Sequence, residues 1–282
     1  MNGSVSGNFI SNVSVNKNLT SLDGGIESLS QLYNLFYENA DPRMRDRFLM
    51  GKPHWIILFY IIYVVIITRI LPNFMKNRKP YDFQKLSLYI DALLLFIACY
   101  FFVITTYSWL FLFNWRCEVI DRSNSWTSRM AVEFCWQYLM TRFIYTLHSV
   151  PFVLSKRKSS LANYLIIHHA VFPVMVWSFI NVYPGGHITF GGWINSMTHV
   201  GLFGIKFVIL YNPSVKKYRR QFHVFIHVFQ FTSIIIHSLQ MFIWNDCGVP
   251  MYLVWMEVIY ALIIASFYYI FVIHKSDPIL SQ

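Results

Sequence analysis

The sequence predicts an all-α integral membrane protein with seven transmembrane helices. Three observations lead there. Hydrophobic residues make up 56% of the 282 residues and charged residues only 13%, where a soluble domain carries about 25% charged residues. Seven apolar stretches are each long enough, or nearly so, for a span of about 20 residues. The Lys and Arg residues gather in alternate short connections between those stretches, the usual signature of cytosolic membrane faces. The net charge of +10 therefore reads as membrane topology, and no nucleic-acid partner is expected.

Residues 1–30 are rich in Ser, Asn and Gly and too polar to build a core. They carry three N-glycosylation sequons, at Asn2, Asn12 and Asn18. Residues 31–53 mix Leu, Tyr and Phe with charge and suggest a short interfacial helix after that tail. No cationic stretch leads into an apolar segment at the start, so targeting is expected to fall to the first span. The membrane domain covers 54–273, with spans near 54–71, 87–113, 130–154, 163–181, 190–210, 223–244 and 251–273. Pro173, Pro184 and the Gly185-Gly186 and Gly191-Gly192 pairs blur the ends of the fourth and fifth. Residues 274–282 form a short tail.

Orientation follows from the loops. Lys76, Arg78, Lys79 and Lys85 follow span one; Lys156, Arg157 and Lys158 follow span three; Lys216, Lys217, Arg219 and Arg220 follow span five. Loops four and six have no Lys or Arg. The odd loops are thus expected in the cytosol, with the N-terminus lumenal and the C-terminus cytosolic. Arg43, Arg45, Arg47 and Lys52 run against this pattern, offset in part by Asp41 and Asp46. Of four cysteines, Cys99 and Cys135 lie inside spans. Cys117 and Cys247 fall in lumenal loops, where a disulfide can persist.

Polar residues inside apolar spans mark candidate chemistry, because lipid offers them no partners. His168 and His169 stand together in Tyr164-Leu165-Ile166-Ile167-His168-His169-Ala170-Val171-Phe172-Pro173. Arg142 and His148 lie on span three, and His199 and Lys206, seven residues apart on one helical face, lie on span five. His223, His227 and Gln230 form a stripe at i, i+4 and i+7 at the start of span six. Four neighbouring spans thus offer imidazole or a cation at similar depth, as a reaction chamber opening to the cytosol would. For a single intramembrane His the plainer reading is a hydrogen-bonded helix contact, and for His223 an interfacial position. Lys206 would then snorkel to headgroups. A metal centre is not expected, since the ten histidines lack His-box spacing and no carboxylate cluster completes a ligand set.

The residues from Phe143 to Leu154, the basic loop and the segment Tyr164 to Pro173 resemble the very-long-chain fatty acid elongase family. They match its run from a KxxExxDT box through a basic turn to an HxxHH box. Arg78 to Phe83 is similar to the family's basic-Pro-Phe element. Asn195 to Val200 is similar to the start of its HxxMYxYY box, and Lys216-Lys217-Tyr218 to the loop before its TxxQxxQ box. Within the boxes Arg142 stands for Lys, while Tyr145, His148 and Ser149 replace Glu, Asp and Thr. Leu165 replaces the first His of HxxHH. His199 remains, followed by Leu202, Phe203, Ile205 and Lys206 in place of Met and the tyrosines. Gln230 remains, with Val224 and His227 for Thr and Gln.

The resemblance implies seven helices around a narrow acyl tunnel in the endoplasmic reticulum membrane. It implies condensation of a long-chain acyl-CoA with malonyl-CoA to 3-oxoacyl-CoA, CoA and CO2. No cofactor is bound in this reading; acyl-CoA and malonyl-CoA are substrates, with membrane lipid and other enzymes of the elongation cycle as partners. Oligomeric state is left open. His168 and His199 would work at the thioester from one shared cavity, beside His169, an imidazole being able to form an activated acyl-imidazole. Arg142, His148, Lys206, His227 and Gln230 would bind substrate. Two other classes stay open: a catalytically silent homologue that regulates active elongases, and a seven-helix receptor, which leaves the His168-His169 doublet unexplained.

Overall fold

The structure is a computed structural model, and it describes residues 31, 34, 37–156 and 159–274. The sequons at Asn2, Asn12 and Asn18, the loop residues Arg157 and Lys158, and the tail from 275 lie outside the described residues. Among the described residues six helices are long and apolar enough to cross a membrane: α1 Pro53–Met75, α2 Gln84–Leu112, α4 Ser160–Val182, α5 Gly186–Tyr211, α6 Pro213–Phe242 and α7 Met251–His274. Between α2 and α4 lies α3, Trp126–Tyr145, which continues through a 3₁₀ turn, Thr146–Ser149, into Val150–Leu154. Pro151 opens that last segment, where its missing N–H and fixed φ do least harm. The third expected span is therefore present as a long helical rod, but it falls short of the others in apolarity. Arg129, Glu133 and Arg142 lie on it.

Contacts close α2 through α7 into a ring, with neighbours α3–α4, α2–α3, α2–α5, α5–α6, α6–α7 and α7–α4, while α1 packs outside against α4. Six helices, not seven, thus surround the interior. The reason is compositional. The α1 run Pro53–Val65 is apolar on every side and buries only Ile56, Tyr60 and Tyr63 in that stretch. It has no polar stripe that needs an interior, and lipid tails solvate its other faces as well as protein would. Ile61 on α1, Phe96 and Val103 on α2 and Leu262 on α7 are all exposed, forming an apolar outer belt.

One end of the ring carries a disulfide between Cys117 and Cys247, with Cα atoms 5.4 Å apart, as expected from the loops. The buried Tyr183 hydroxyl donates to the Cys247 carbonyl at 3.3 Å. Gly186, at φ +57°, lets the α4–α5 loop pass so close that a Cβ there would lie 2.9 Å from the Glu118 carbonyl oxygen. The basic residues of the odd loops mark the opposite end.

The segment before α1 is fastened to the disulfide end. A one-turn helix, Pro42–Arg45, is capped by the Asp41 side chain. Asp41 N–H donates to the Asn181 carbonyl at 2.7 Å, Gly51 N–H to the Asn181 side chain at 3.1 Å, and Trp177 Nε1–H to the Leu49 carbonyl at 2.8 Å. The cations that run against the loop pattern are mostly compensated. Arg43 pairs with Asp41 at 2.7 Å, Arg47 pairs with Glu133, and Arg45 donates to the Glu38 and Ala40 carbonyls. Burial would push the Asp41 carboxyl up, but hydrogen bonds from Arg43 and the charges of Arg43 and Arg122 outweigh it and hold it below the ordinary carboxylate range.

A pH-dependent stability term follows. A depressed carboxylate stabilises the fold above its unfolded pKa of about 3.9, and that contribution fades as pH falls through its lower folded value. Asp41→Ala should cost about 3 kcal/mol at neutral pH, as for removing one partner of a buried pair. The loss should shrink below about pH 4. Thermal unfolding of both proteins in detergent across pH checks this, and an equal loss at pH 7 and pH 3 would contradict it.

Candidate functional site

The His168-His169 doublet sits midway along α4, whose first turn is capped by Ser159 Oγ accepting from Ala162 N–H. Adjacent residues on an α-helix point about 100° apart, at 3.6 residues per turn. The doublet therefore serves two spaces. His168 lines an apolar cavity of about 90 Å³ inside the ring, with Phe172, Val176 and Phe179 continuing the same stripe of α4. That cavity reaches Ile180, twelve residues and roughly 18 Å further along the helix. Tyr260 of α7 meets His168 Nδ1 at 3.3 Å.

His169 lines a separate chamber of about 70 Å³, where His148, His199, Lys206, His223 and His227 stand among apolar walls such as Phe152, Leu202 and Phe203. The chamber lies toward the basic end, and Lys206 and Arg219 line both it and an outer groove of about 510 Å³. Helical spacing assembles it. His199, Phe203 and Lys206 stand at i, i+4 and i+7 on α5, and His223 and His227 one turn apart on α6. Gln230, the next step of that stripe, lines the apolar cavity instead.

Hydrogen bonds fix several rings. His227 Nδ1 lies 2.8 Å from the His223 carbonyl, which can only accept, so Nδ1 carries the proton and Nε2 is left as an acceptor in the neutral ring. Tyr268 donates to that same carbonyl at 3.2 Å, and His223 Nδ1 meets the Tyr268 hydroxyl at 2.8 Å. Nδ1 of His169 and Nδ1 of His199 are buried and have no hydrogen-bond partner among the described residues. Orphaned nitrogens on two imidazoles in one chamber call for an explanation. Proton transfer or nucleophilic attack on a bound substrate supplies one.

Arg142 stands in the wall between the two spaces and lines neither. Its guanidinium lies 4.0 Å from the Tyr138 ring centroid and 4.3 Å from that of Tyr145, and it donates to Asn195 Oδ1 at 3.2 Å. Tyr138 borders the apolar cavity, while the Tyr145 ring lies 4.8 Å from the His199 ring. The sequence reading expects His168 and His199 to share one cavity; in the structure His168 lines the apolar cavity and His199 the chamber. The doublet divides across the Arg142 wall, and it is His169 that shares the chamber with His199.

Sequence reasoning missed Asp91. Its carboxylate, on α2, lies 2.7 Å from Lys206 Nζ and 3.4 Å from His148 Nε2. Lys206 therefore has an internal partner and does not simply snorkel. The signal was present as a lone acid between Ile90 and Ala92 in an apolar run. Asn195, Tyr145 and Tyr260 were missed because their roles come from contacts across helices. Among the described residues, no group of three or more His, Cys, Asp or Glu is placed to hold a metal ion.

Comparison with known proteins adds the family. The model of the GNS1/SUR4 family of ELO proteins matches residues 48–275. The chain is 33% identical over 220 residues to very long chain fatty acid elongase 7 of Drosophila melanogaster, covering 77% of this chain and 67% of that protein. It is 29% identical over 231 residues to a very long chain fatty acid elongase of Aedes aegypti, covering 80% of this chain and 64% of that one. Against human very long chain fatty acid elongase 1 the identity is 27% over 252 residues, 86% of this chain and 90% of the human protein. The chain thus spans about two thirds of the length of the two insect relatives.

The Asp91–Lys206 pair gives a stability prediction. Removing one partner of a buried pair costs about 3–5 kcal/mol. Lys206 keeps 27% of its side-chain exposure, so Asp91→Leu should cost less, about 2 kcal/mol. Asp91→Leu combined with Lys206→Met should recover most of that loss, because no unpaired charge remains. Thermal unfolding of the three proteins measures it; a double variant less stable than Asp91→Leu would refute the pairing.

Proposed function

The chain belongs to the GNS1/SUR4 family, that of the very long chain fatty acid elongases, and on that premise we propose that it condenses a long-chain acyl-CoA with malonyl-CoA. The observation that carries this reading is the His168-His169 doublet, one ring bordering an apolar cavity that runs along α4 and the other a chamber of imidazoles toward the basic end. The chain lies in the apolar cavity with its thioester at the doublet. The CoA moieties extend toward the outer groove, where Lys206, Lys216 and Arg219 offer cations to phosphates.

The reaction runs in two stages. An imidazole nitrogen attacks the thioester carbonyl, the carbon–sulfur bond breaks, and CoA leaves as its thiol after taking up a proton. The acyl group then rests on the imidazole, an arrangement activated toward a second attack. Malonyl-CoA loses CO2, and the electron pair of the broken carbon–carbon bond becomes the carbanion that attacks the acyl carbon. Breaking the acyl–imidazole bond returns the histidine and releases 3-oxoacyl-CoA. His168 is the carrier in this reading because it borders the cavity that holds the chain; His169 and His199 handle protons and the second substrate. Arg142 acts through Tyr138, Tyr145 and Asn195, holding the wall. His148, Lys206, His227 and Gln230 bind or orient the substrates. The protein resides in the endoplasmic reticulum membrane with its basic end in the cytosol, where both CoA substrates are found, and with its N-terminus lumenal.

Incubating purified protein in detergent with acyl-CoA alone should leave an acyl mass adduct on the peptide containing His168, and adding malonyl-CoA should discharge it. His168→Ala should lose the adduct and reduce malonyl-CoA-dependent extension by at least about a hundredfold, the low end for removing a reacting group. An adduct on the His199 peptide would reassign the carrier. Folded wild-type protein that extends no chain across an acyl-CoA length panel would leave the silent-homologue reading standing.

A further inference from the structure

The apolar cavity holds one acid that neither the fold nor the proposed reaction uses. Glu257 on α7 lines it together with Gly191 and Thr189 of α5 and Gln230 of α6. Its Oε2 accepts a hydrogen bond from Ser238 Oγ at 2.8 Å. Among the described residues no Lys, Arg or His forms an ion pair with it. The second oxygen, Oε1, sits where a side chain at position 191 would stand, 2.6 Å from the place of its Cβ. A Cβ at 191 would displace the carboxyl from this place. The acid is thus seated against the α5 backbone and anchored through one oxygen by Ser238, in a cavity whose other walls are mostly aliphatic and aromatic.

Placing such a group beside a plain alkyl chain is unfavourable. An acyl chain without a polar substituent would strip water from Oε1 and return no hydrogen bond, at the full cost of an unsatisfied buried polar atom. A chain hydroxyl at that level donates to Oε1 and removes the cost. We propose that Glu257, cradled by Gly191 and Ser238, makes the cavity selective for acyl chains that carry a hydroxyl group along the chain. This inference rests on the reading of the cavity as the acyl site and deepens it by naming the substrate class. The level of the hydroxyl follows from α7: Tyr260, whose hydroxyl meets His168, lies three residues from Glu257, roughly 4.5 Å along the helix axis. The substituent therefore lies on the chain beyond the thioester, on the side of the cavity where Gly191 and Ser238 seat the acid.

The test compares CoA esters of one chain length with the hydroxyl moved stepwise along the chain, beside the unsubstituted parent. For the wild type, kcat/KM should peak at one hydroxyl position and exceed that of the parent by about tenfold or more, because a site built to receive a hydroxyl rejects the analogue that lacks it. Glu257→Leu should reverse the order and favour the parent. Glu257→Gln, which keeps a hydrogen-bonding oxygen and nearly the same shape, should retain the peak. Gly191→Ala, which leaves the acid in the chain but closes its seat, should flatten it. A second readout needs no turnover: the corresponding free hydroxy acids should raise the melting temperature of the wild type more than the parent acid does, with the same positional peak. If wild type and Glu257→Leu share one preference for the plain chain in both readouts, Glu257 is only a clamp between α6 and α7 and the inference fails. If the melting shifts show the peak while no ester is extended, condensation is refuted and the hydroxyl site stands.

Discussion

A permanent cation buried among helices sets the arrangement of everything around it. Arg142 is 3% exposed, and among the described residues no carboxylate pairs with it. Its stabilisation comes instead from the ring faces of Tyr138 and Tyr145, from Asn195 and Thr141, and from the Tyr138 carbonyl. Cation–π contacts strengthen when the cation is stripped of water, up to about 2 kcal/mol each. Because Tyr138, Thr141 and Tyr145 lie on α3 itself, the hydrogen-bonded tie from this cluster to another helix is Asn195 of α5, whose Oδ1 accepts from both Arg142 and the Tyr138 hydroxyl. That cluster divides the interior. Tyr138 turns toward the chain cavity and Tyr145 toward the imidazole chamber, and the helix that carries both is the least apolar of the seven.

The remaining interior charge follows a different rule. Lys206 and His148 face the chamber, yet their carboxylate comes from Asp91 on α2, a helix whose other surface meets lipid. An acid lining the chamber directly would repel the phosphates and carboxylates of CoA substrates. The Asp91 carboxylate stays out of the chamber, fixes the Lys206 cation, and lines the outer groove, where Lys206, Lys216 and Arg219 outnumber it. The same geometry holds the His148 ring 6.2 Å from that of His169 at a shallow 25° angle, so the two imidazoles form one side of the chamber.

Much of this was legible in the chain. Apolar run length and loop charge gave the helices, the disulfide pair and the chamber residues, because each depends on local composition or on helical spacing. The doublet announced a site for the same reason. What stayed hidden depends on rotation and on partners. Adjacent residues on a helix diverge by about 100°, so His168 and His169 were read as one cluster although they serve two spaces. Asp91 was legible as an oddity, but its partner lies 115 residues away and no spacing rule links them. The outer position of α1 was likewise invisible, since a uniformly apolar helix reads the same whether it closes a ring or leans on one from lipid.

The departures from the family boxes take on a physical meaning once the helices are in place. The first His of the HxxHH pattern is Leu165 here, and Leu165 lines the chamber beside His223 and His227 of α6. The imidazole missing from α4 thus has two counterparts across the same space. The Glu of the KxxExxDT pattern is Tyr145, whose ring serves Arg142 on one side and His199 on the other. A carboxylate at 145 would pair with Arg142 and remove an aromatic face that now braces both. The Asp of that pattern is His148, and its carboxylate partner arrives from Asp91. His148 and Tyr145 keep polar and aromatic roles beside the chamber, with charge supplied from a neighbouring helix, whereas Leu165, Leu202 and Ile205 leave its wall aliphatic. These two departures therefore act through neighbouring helices as well as within α3: His148 draws its carboxylate from α2, and Tyr145 sets its ring against the His199 imidazole of α5.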